Sequence, residues 1–573
     1  MQSEFVTFAA TVGWGTLNTV HSSRTTEYSG IVTGLVAVAV WICTGASCGE
    51  ELVAAGELVR VTAPVNLDLE LAEITARVAA AGGPALLFDR SYYAPGATFS
   101  GGASAGALPA GSVEPGAGQG MPVVANLLGT ESRVCRALGV PSLAALAERM
   151  ANVARCGGPS WLDRLRGVGD VPPQEKFRPK LVRQGACQQV VRLGRDVDLS
   201  TLPAARCWPG ETGPALCGRL LMAWPAGDAT PSGPDPVSLR LARGIVAGRK
   251  QLLFSPLDAV GAPWRPAPAT PQPAALILGG DPSGLLAASI DWAPIDGLTL
   301  AGMIRNHPWD VVSARSQPLH VPADAEMVIE GLLGPASAFG ELEPTTGAGA
   351  DGIRLADPAT GYYRDPHAEP WAFEVTAVTH RASMIAPLWV VGDLDNGRPV
   401  GETASLQAVR RSLLVPLLSA AIPELVDAAL PLAGGTAGMA ALAIRKCAPG
   451  QARRAASALW SVAALEATKW VIVLDADVDP HDTRQVLARM AANVAPDRDI
   501  FFHAGGGDGC DHAAADGRLV ARVGIDATAK LPGEHPRLWP AALERPRELV
   551  LGVSRRWAEL GLPPRGESGS APP

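Results

Sequence analysis

V-P-A-D-A-E-M-V-I-E-G-L-L-G-P-A-S-A-F-G-E, residues 321–341, is the stretch from which the rest of the chain is read. Pro322 fixes the backbone entering a short helical turn over 323–326, where Asp324 and Glu326 suit a helix N-terminus. Met327 to Leu333 is mostly apolar, with β-branched Val328 and Ile329 at its centre, and predicts a strand in which Gly331 marks a bulge or a close backbone approach. Gly334-Pro335 is expected to break that strand and open a loop ending at Glu341. A carboxylate on a loop just after a buried strand is a common placement for an acid or base, so Glu341 is the first candidate for chemistry; the alternative is a solvated surface glutamate.

Working outward, turn and strand signals dominate from Cys187 to about residue 385, which predicts an antiparallel sheet or barrel. Upstream, G-E-L-V-R-V-T-A-P-V from Gly56, a helically spaced L-D-L-E-L-A-E-I-T-A-R-V and G-G-P-A-L-L-F-D make a strand, helix, strand unit. Tyr93 to Gly120 reads as a Gly/Ala/Ser/Pro-rich surface loop or insertion, and Pro141 to Ala154 as an amphipathic helix. Downstream, helices and strands alternate. Trp470-Val-Ile-Val-Leu-Asp475 has the continuous apolar character of a strand buried on both faces. The expected division is an atypical tail over 1–50, an α/β domain over 51–185, a barrel domain over 186–385, a second α/β domain over 386–562 and a disordered tail over 563–573. Within the first tail, the apolar run Ile31–Cys43 is shorter than the ~20 residues of a membrane span and starts late for a secretory signal, so we read it as a tail or an early start codon.

Length and composition bound the function. At 573 residues the chain should form two to four domains, and 47% hydrophobic content suffices for substantial cores. A net charge of −8 with no basic block argues against nucleic-acid binding and for a small-molecule or protein partner. Nine cysteines without C-x-x-C pairs or zinc spacing predict reduced thiols in a cytoplasmic protein. The acidic D-A-D-V-D-P-H-D at 475–482 lacks the Gly and Glu spacing of an EF-hand and reads as a strand-end loop. G-G-G-D-G-C at 505–510 reads as a flexible loop, and His380 as a packed or hydrogen-bonded histidine.

A resemblance joins these pieces. G-E-L-V-R at 56–60, A-G-G-P-A-L-L-F at 81–88, M-P-V-V-A-N-L-L-G-T at 121–130, A-C-Q-Q at 186–189, D-V-D-L at 196–199 and C-W-P at 207–209 are carriers. V-P-A-D-A-E-M-V-I-E-G at 321–331, F-G-E at 339–341, T-H-R at 379–381 and G-I-D-A-T-A-K-L-P-G-E at 524–534 complete them. In this order they resemble the UbiD family of carboxy-lyases, best known for a decarboxylation in ubiquinone synthesis. The resemblance implies a mixed α/β fold: an N-terminal α/β domain, a central split β-barrel of the flavin-reductase type and a C-terminal α/β domain used for homo-oligomerisation, as a dimer or hexamer. It also implies prenylated FMN, delivered by a flavin prenyltransferase, with Mn2+ and K+ at the flavin phosphate. Decarboxylation leaves a carbanion, and ordinary side chains are poor electron sinks, so a modified flavin suits the task.

The family arginine that clamps the substrate carboxylate falls, by this resemblance, on Arg243 of S-L-R-L-A-R at 238–243. An arginine suits the role because its planar fork pairs with carboxylate and stays charged. Without the resemblance, Arg240, Arg243, Arg249 and Lys250 would read as a solvated basic face. Ser238, Arg240, Leu241, Ala242 and Arg243 are the expected cofactor contacts. Glu341 matches the family proton donor, whereas the family's other carboxylate is Ala336. Of the family's Asn, His and Glu metal ligands, Ser238 replaces the first, no histidine occurs between Leu193 and Asn306, and Leu300 replaces the last; Asp258 is the remaining oxygen-donor candidate. Arg240, counted as one helical turn from Arg243, is expected to have taken over phosphate neutralisation. Two functions follow: a non-oxidative decarboxylase of an aromatic or α,β-unsaturated acid, or a non-catalytic subunit that has lost the metal and cofactor site.

Overall fold

The computed structural model describes residues 55–93, 121–156, 173–223, 237–255, 270–290, 295–339, 353–357, 362–363, 370–390, 394–395, 398–430, 438–462, 465–506, 519–541, 543, 545–557 and 559–560. The tails, the Tyr93–Gly120 segment past its first residue, the Gly507–Cys510 part of the glycine loop, Asp258 and Glu341 lie outside them.

Strands β1 (Leu58–Val61) and β2 (Ala85–Phe88) run parallel, in register from Leu58↔Ala85 to Val61↔Phe88. The crossover is helix α1 (Glu70–Ala80), which buries Leu71, Thr75 and Ala79 at four-residue spacing. Strand β3 (Val123–Ala125) lies antiparallel on β2. Helix α2 (Leu143–Cys156) follows two residues after the expected start and buries Leu143, Leu146 and Met150.

The centre is a closed antiparallel barrel of six strands: β4 (Ala215–Ala223), β5 (Val237–Val246), β6 (Gln251–Phe254), β7 (Gln272–Leu278), β8 (Met327–Pro335) and β9 (Trp371–His380). Around it the order is β6-β5-β4-β7-β8-β9, and β9 closes on β6 from Gln251↔Glu374 to Phe254↔Trp371. Alternation along each strand sorts the side chains. Leu220, Ala242, Phe254, Leu276, Ile329 and Phe373 fill the interior. Leu221, Leu239, Leu241, Ile277 and Val328 face outward and pack under helices α3 (Pro282–Ala288) and α4 (Gly297–Arg305).

The 321–341 stretch lies at the heart of this barrel, with two differences from its reading. Ala323–Glu326 forms no helical turn but a tight connection between the short strand His320–Pro322 and β8, and β8 continues through Gly334 and Pro335 before the 3-10 turn Ala336–Phe339. Its acids are not at a helix N-terminus. Asp324 accepts from Trp309 Nε1 (3.0 Å) and Asp281 N (3.0 Å), and Glu326 pairs with Arg381 (3.2 Å) and accepts from Ile385 N (3.2 Å). Glu330, fully buried, accepts from Arg315 N and Ser316 N. Gly331 fulfils both expectations: the register shifts at Glu330/Gly331, and a Cβ there would stand 2.1 Å from the Glu374 carbonyl oxygen.

After the barrel the chain returns to the first sheet, where β10 (Ala386–Leu388) pairs parallel to β3. Helix α5 (Gly401–Ala421) leads to a five-stranded sheet of β11 (Leu425–Ala429), β12 (Met439–Ile444), β13 (Trp470–Asp475), β14 (Ile500–Gly506) and β15 (Leu519–Asp526), ordered β11-β12-β13-β15-β14. β13 runs parallel to both neighbours, and Val471 to Leu474 are wholly buried, as the apolar run predicts. The acids after it are used structurally: Asp482 caps the helix Thr483–Asn493 and Asp477 pairs with Arg489. Among the described residues no helix is long and apolar enough to cross a membrane.

Candidate functional site

Arg243 and Arg240 sit on β5, three residues apart. A strand places residues at odd separation on opposite faces, so the helical-turn spacing does not apply and the two guanidinium groups leave the sheet in opposite directions. Ser238, Arg240 and Ala242 share the face that lines the barrel, where Arg240 Nε donates to Ser238 Oγ (3.1 Å). Leu241 and Arg243 share the outer face, and Leu241 packs in the core beneath the helices.

Arg243 is buried at 7% exposure. Its Nη1 lies 3.2 Å from Glu211 Oε1, and its Nη2 donates to the Ala356 carbonyl (2.8 Å). Glu211, itself 3% exposed, also accepts from Ala356 N (3.3 Å), Cys207 N (3.1 Å) and Trp208 N (3.1 Å). The turn 207–214 therefore folds its carboxylate back onto its own amides and onto the arginine of a strand 32 residues away. A second segment holds the turn from above: Arg354 N donates to Thr212 Oγ1 (2.7 Å), and Gly210 N donates to the Tyr363 hydroxyl (2.9 Å). A buried ion pair of this kind compensates its desolvation only when the remaining lone pairs find donors, and Glu211 has them.

Ala336 is buried in an apolar cluster with Ile245, Leu253, Ile353, Leu355 and Ala372. The position of the expected family carboxylate is thus filled by core, next to the strand that carries Arg243. Leu300 is 1% exposed within α4, against the outer face of the barrel. No group of three or more His, Cys, Asp or Glu among the described residues is placed to hold a metal ion. Asp258 and Glu341, the other candidates, lie outside the described residues.

Family models match residues 50–151, 180–394 and 404–527, as the N-terminal, Rift-related and C-terminal domains of 3-octaprenyl-4-hydroxybenzoate carboxy-lyase. The chain belongs to the UbiD family. Solved structures agree on the fold of this UbiD chain. The vanillic acid decarboxylase of Sedimentibacter hydroxybenzoicus in closed form is 20% identical, with 89% of this chain and 97% of that one covered at a TM-score of 0.68. An evolved dimeric form of the UbiD-class enzyme HmfF from Pelotomaculum thermopropionicum, in complex with prFMN, is 21% identical over 85% and 95% at 0.58. The apo 3,4-dihydroxybenzoic acid decarboxylase of Klebsiella pneumoniae is 21% identical over 88% and 99% at 0.58.

Glu211 is the residue the sequence reading of this UbiD chain missed. The signal lay close by: C-W-P at 207–209 was one of the resemblance's carriers, and a glutamate between two glycines in a tight turn has its carboxylate near unpaired amides. Nothing in the spacing says that Arg243 would arrive opposite it.

Proposed function

We propose that this chain is a non-oxidative decarboxylase of an aromatic or α,β-unsaturated carboxylic acid that works with prenylated FMN. The observation that carries the reading is the buried Arg243–Glu211 pair in a chain of this family. Arg243 binds the substrate carboxylate, and Glu211 fixes the plane of its guanidinium, the orientation that a carboxylate at position 336 would otherwise supply. Glu341 returns the proton to carbon. When bound, prenylated FMN supplies the electron sink.

The residues fit the two parts of the implied cofactor unequally. Ser238 and Arg240 place a hydroxyl beside a guanidinium, a donor set that suits a flavin phosphate and opposes a divalent cation, which wants about six oxygens. With Leu300 in the core, the metal does not fit the described residues, and no step is assigned to it. Arg240 holds the phosphate directly in this reading, with Leu241 and Ala242 supporting the strand. A flavin prenyltransferase supplies the cofactor, and the chain assembles through its C-terminal domain.

A second reading, a UbiD-like subunit without turnover, is favoured by Ser238, Leu300 and Ala336 standing where ligands and a carboxylate are expected. Co-expression with a flavin prenyltransferase decides between them, followed by the spectrum of the bound cofactor and a screen of aromatic and unsaturated acids for CO2 release or solvent deuterium exchange. A bound flavin and exchange into at least one acid are expected. Flavin-free protein inert to the whole panel would establish the subunit reading.

A further inference from the structure

Glu211 is held on both sides by one segment. On the residue before it, Gly210 N donates to the Tyr363 hydroxyl (2.9 Å). On the residue after it, Thr212 N donates to the Arg354 carbonyl (3.0 Å), and Arg354 N donates to Thr212 Oγ1 (2.7 Å). Between these two grips lies Ala356, whose N–H donates to Glu211 Oε1 (3.3 Å) and whose carbonyl accepts from Arg243 Nη2 (2.8 Å). Ala356 and Tyr363 face each other in a short antiparallel pair, Ala356↔Tyr363 and Asp357↔Tyr362. The residue that touches both members of the buried ion pair is therefore the register partner of the tyrosine that holds the turn.

The ring of Tyr363 matters as well as its hydroxyl. A Cβ on Gly210 would stand 2.5 to 2.9 Å from three of its ring atoms, so a glycine is needed there for the ring to lie against the backbone of the turn. The two ends of the grip are anchored differently. Ile353 and Leu355 are buried in the apolar cluster that contains Ala336, which fixes residues 353–357 to the barrel. Tyr363 is 41% exposed and stands outside that cluster. Loss of its hydroxyl changes the position of the turn more than the stability of the whole chain, since substitutions at such exposed sites cost little globally.

We propose that Tyr363 is a positioning residue for carboxylate binding: by seating the turn 207–214 against residues 353–357 it sets where Glu211 stands, and so the plane in which Arg243 presents its guanidinium. The proposal rests on the reading above in which Arg243 binds the substrate carboxylate. Tyr363 acts through Gly210 and Glu211 and not on the substrate itself.

The test uses the full chain co-expressed with a flavin prenyltransferase, as wild type, as Tyr363→Phe, which keeps the ring and loses the acceptor, and as Gly210→Ala, which drives the ring off the turn. Binding isotherms are measured for benzoate, cinnamate and sorbate and for their primary amides, with melting temperatures in parallel; for any of these acids that turns over, kcat and KM are read separately. The wild type is expected to bind at least one acid more tightly than its amide. Tyr363→Phe should weaken that acid by about two- to tenfold, the worth of one neutral hydrogen bond, with amide binding and melting temperature unchanged and KM raised at constant kcat. Gly210→Ala should weaken the acid at least as much. A purely structural role would lower the melting temperature and weaken acid and amide alike, and that result, or an unchanged preference for the acid in both variants, would overturn the role of Tyr363 while leaving Arg243 its own. A wild type that prefers none of the three acids to its amide would overturn the reading of Arg243 and this proposal with it.

Discussion

Arg243 Nη1 and Glu211 Oε1 meet at 3.2 Å inside the protein, joining a turn to the middle of a barrel strand. Glu211→Ala would remove the carboxylate that pairs with the guanidinium and accepts from three amides. A loss of about 3–5 kcal/mol in urea unfolding is expected, as for other broken buried pairs. Adding Arg243→Met to that variant should restore part of the loss; a double variant as unstable as the sum of the singles would contradict the pairing.

Glu326 links stability to pH. Burial outweighs the pull of Arg381 and lifts its carboxyl from 4.5 to about 7. A raised carboxylate holds its proton in the folded state when the unfolded chain has lost it, so its contribution is complete below pH 4.5 and disappears as pH rises to about 7. At 1.36 kcal/mol per unit the effect is on the order of 3 kcal/mol. Melting curves between pH 4.5 and 8 should show the wild type losing stability relative to Glu326→Gln; parallel curves would refute the shift.

Gly331 tolerates no side chain. The atom a Cβ would meet is the Glu374 carbonyl oxygen, part of the neighbouring backbone, which cannot swing aside. Gly331→Ala is expected to cost at least 1–3 kcal/mol by overpacking and to lower the melting temperature, whereas alanine at Gly552, with nothing within 4 Å, meets no such clash.

In the proposed reaction Glu341 returns the proton. Glu341→Gln should reduce solvent deuterium incorporation by about 10²–10⁴-fold, the usual worth of a general acid, with the flavin content of the purified protein unchanged. An unaltered exchange rate would remove Glu341 from the reaction.

Arg240 is expected to carry the flavin phosphate. Arg240→Ala should purify with little flavin, while exhaustive EDTA treatment of the wild type should release none. Flavin bound equally well by the variant, or released by the chelator, would return the phosphate to a metal.

The strand, helix, strand unit at the start and the strand Trp470–Asp475 were legible from periodicity, because helical spacing and continuous apolar runs are local consequences of which faces are buried; for the centre, turn and strand signals predicted an antiparallel sheet or barrel, and the resemblance implied the barrel. The bulge at Gly331 was legible too, since a glycine inside an apolar strand implies a missing Cβ contact. The local acids were not. Asp324 and Glu326 read as helix-start residues, yet their partners Trp309 and Arg381 lie 15 and 55 positions away, and only folding brings them together. The same holds for the two arginines of β5. Sequence supplied their identity and their spacing of three, but whether that spacing means one face or two depends on helix or strand, and the strand decides for two. Sequence by itself determined the family, the order of the elements and the absence of a carboxylate at position 336. Tertiary structure alone decided that Glu211 meets Arg243 and that Glu326 meets Arg381, because such meetings depend on strand register and packing across long chain separations.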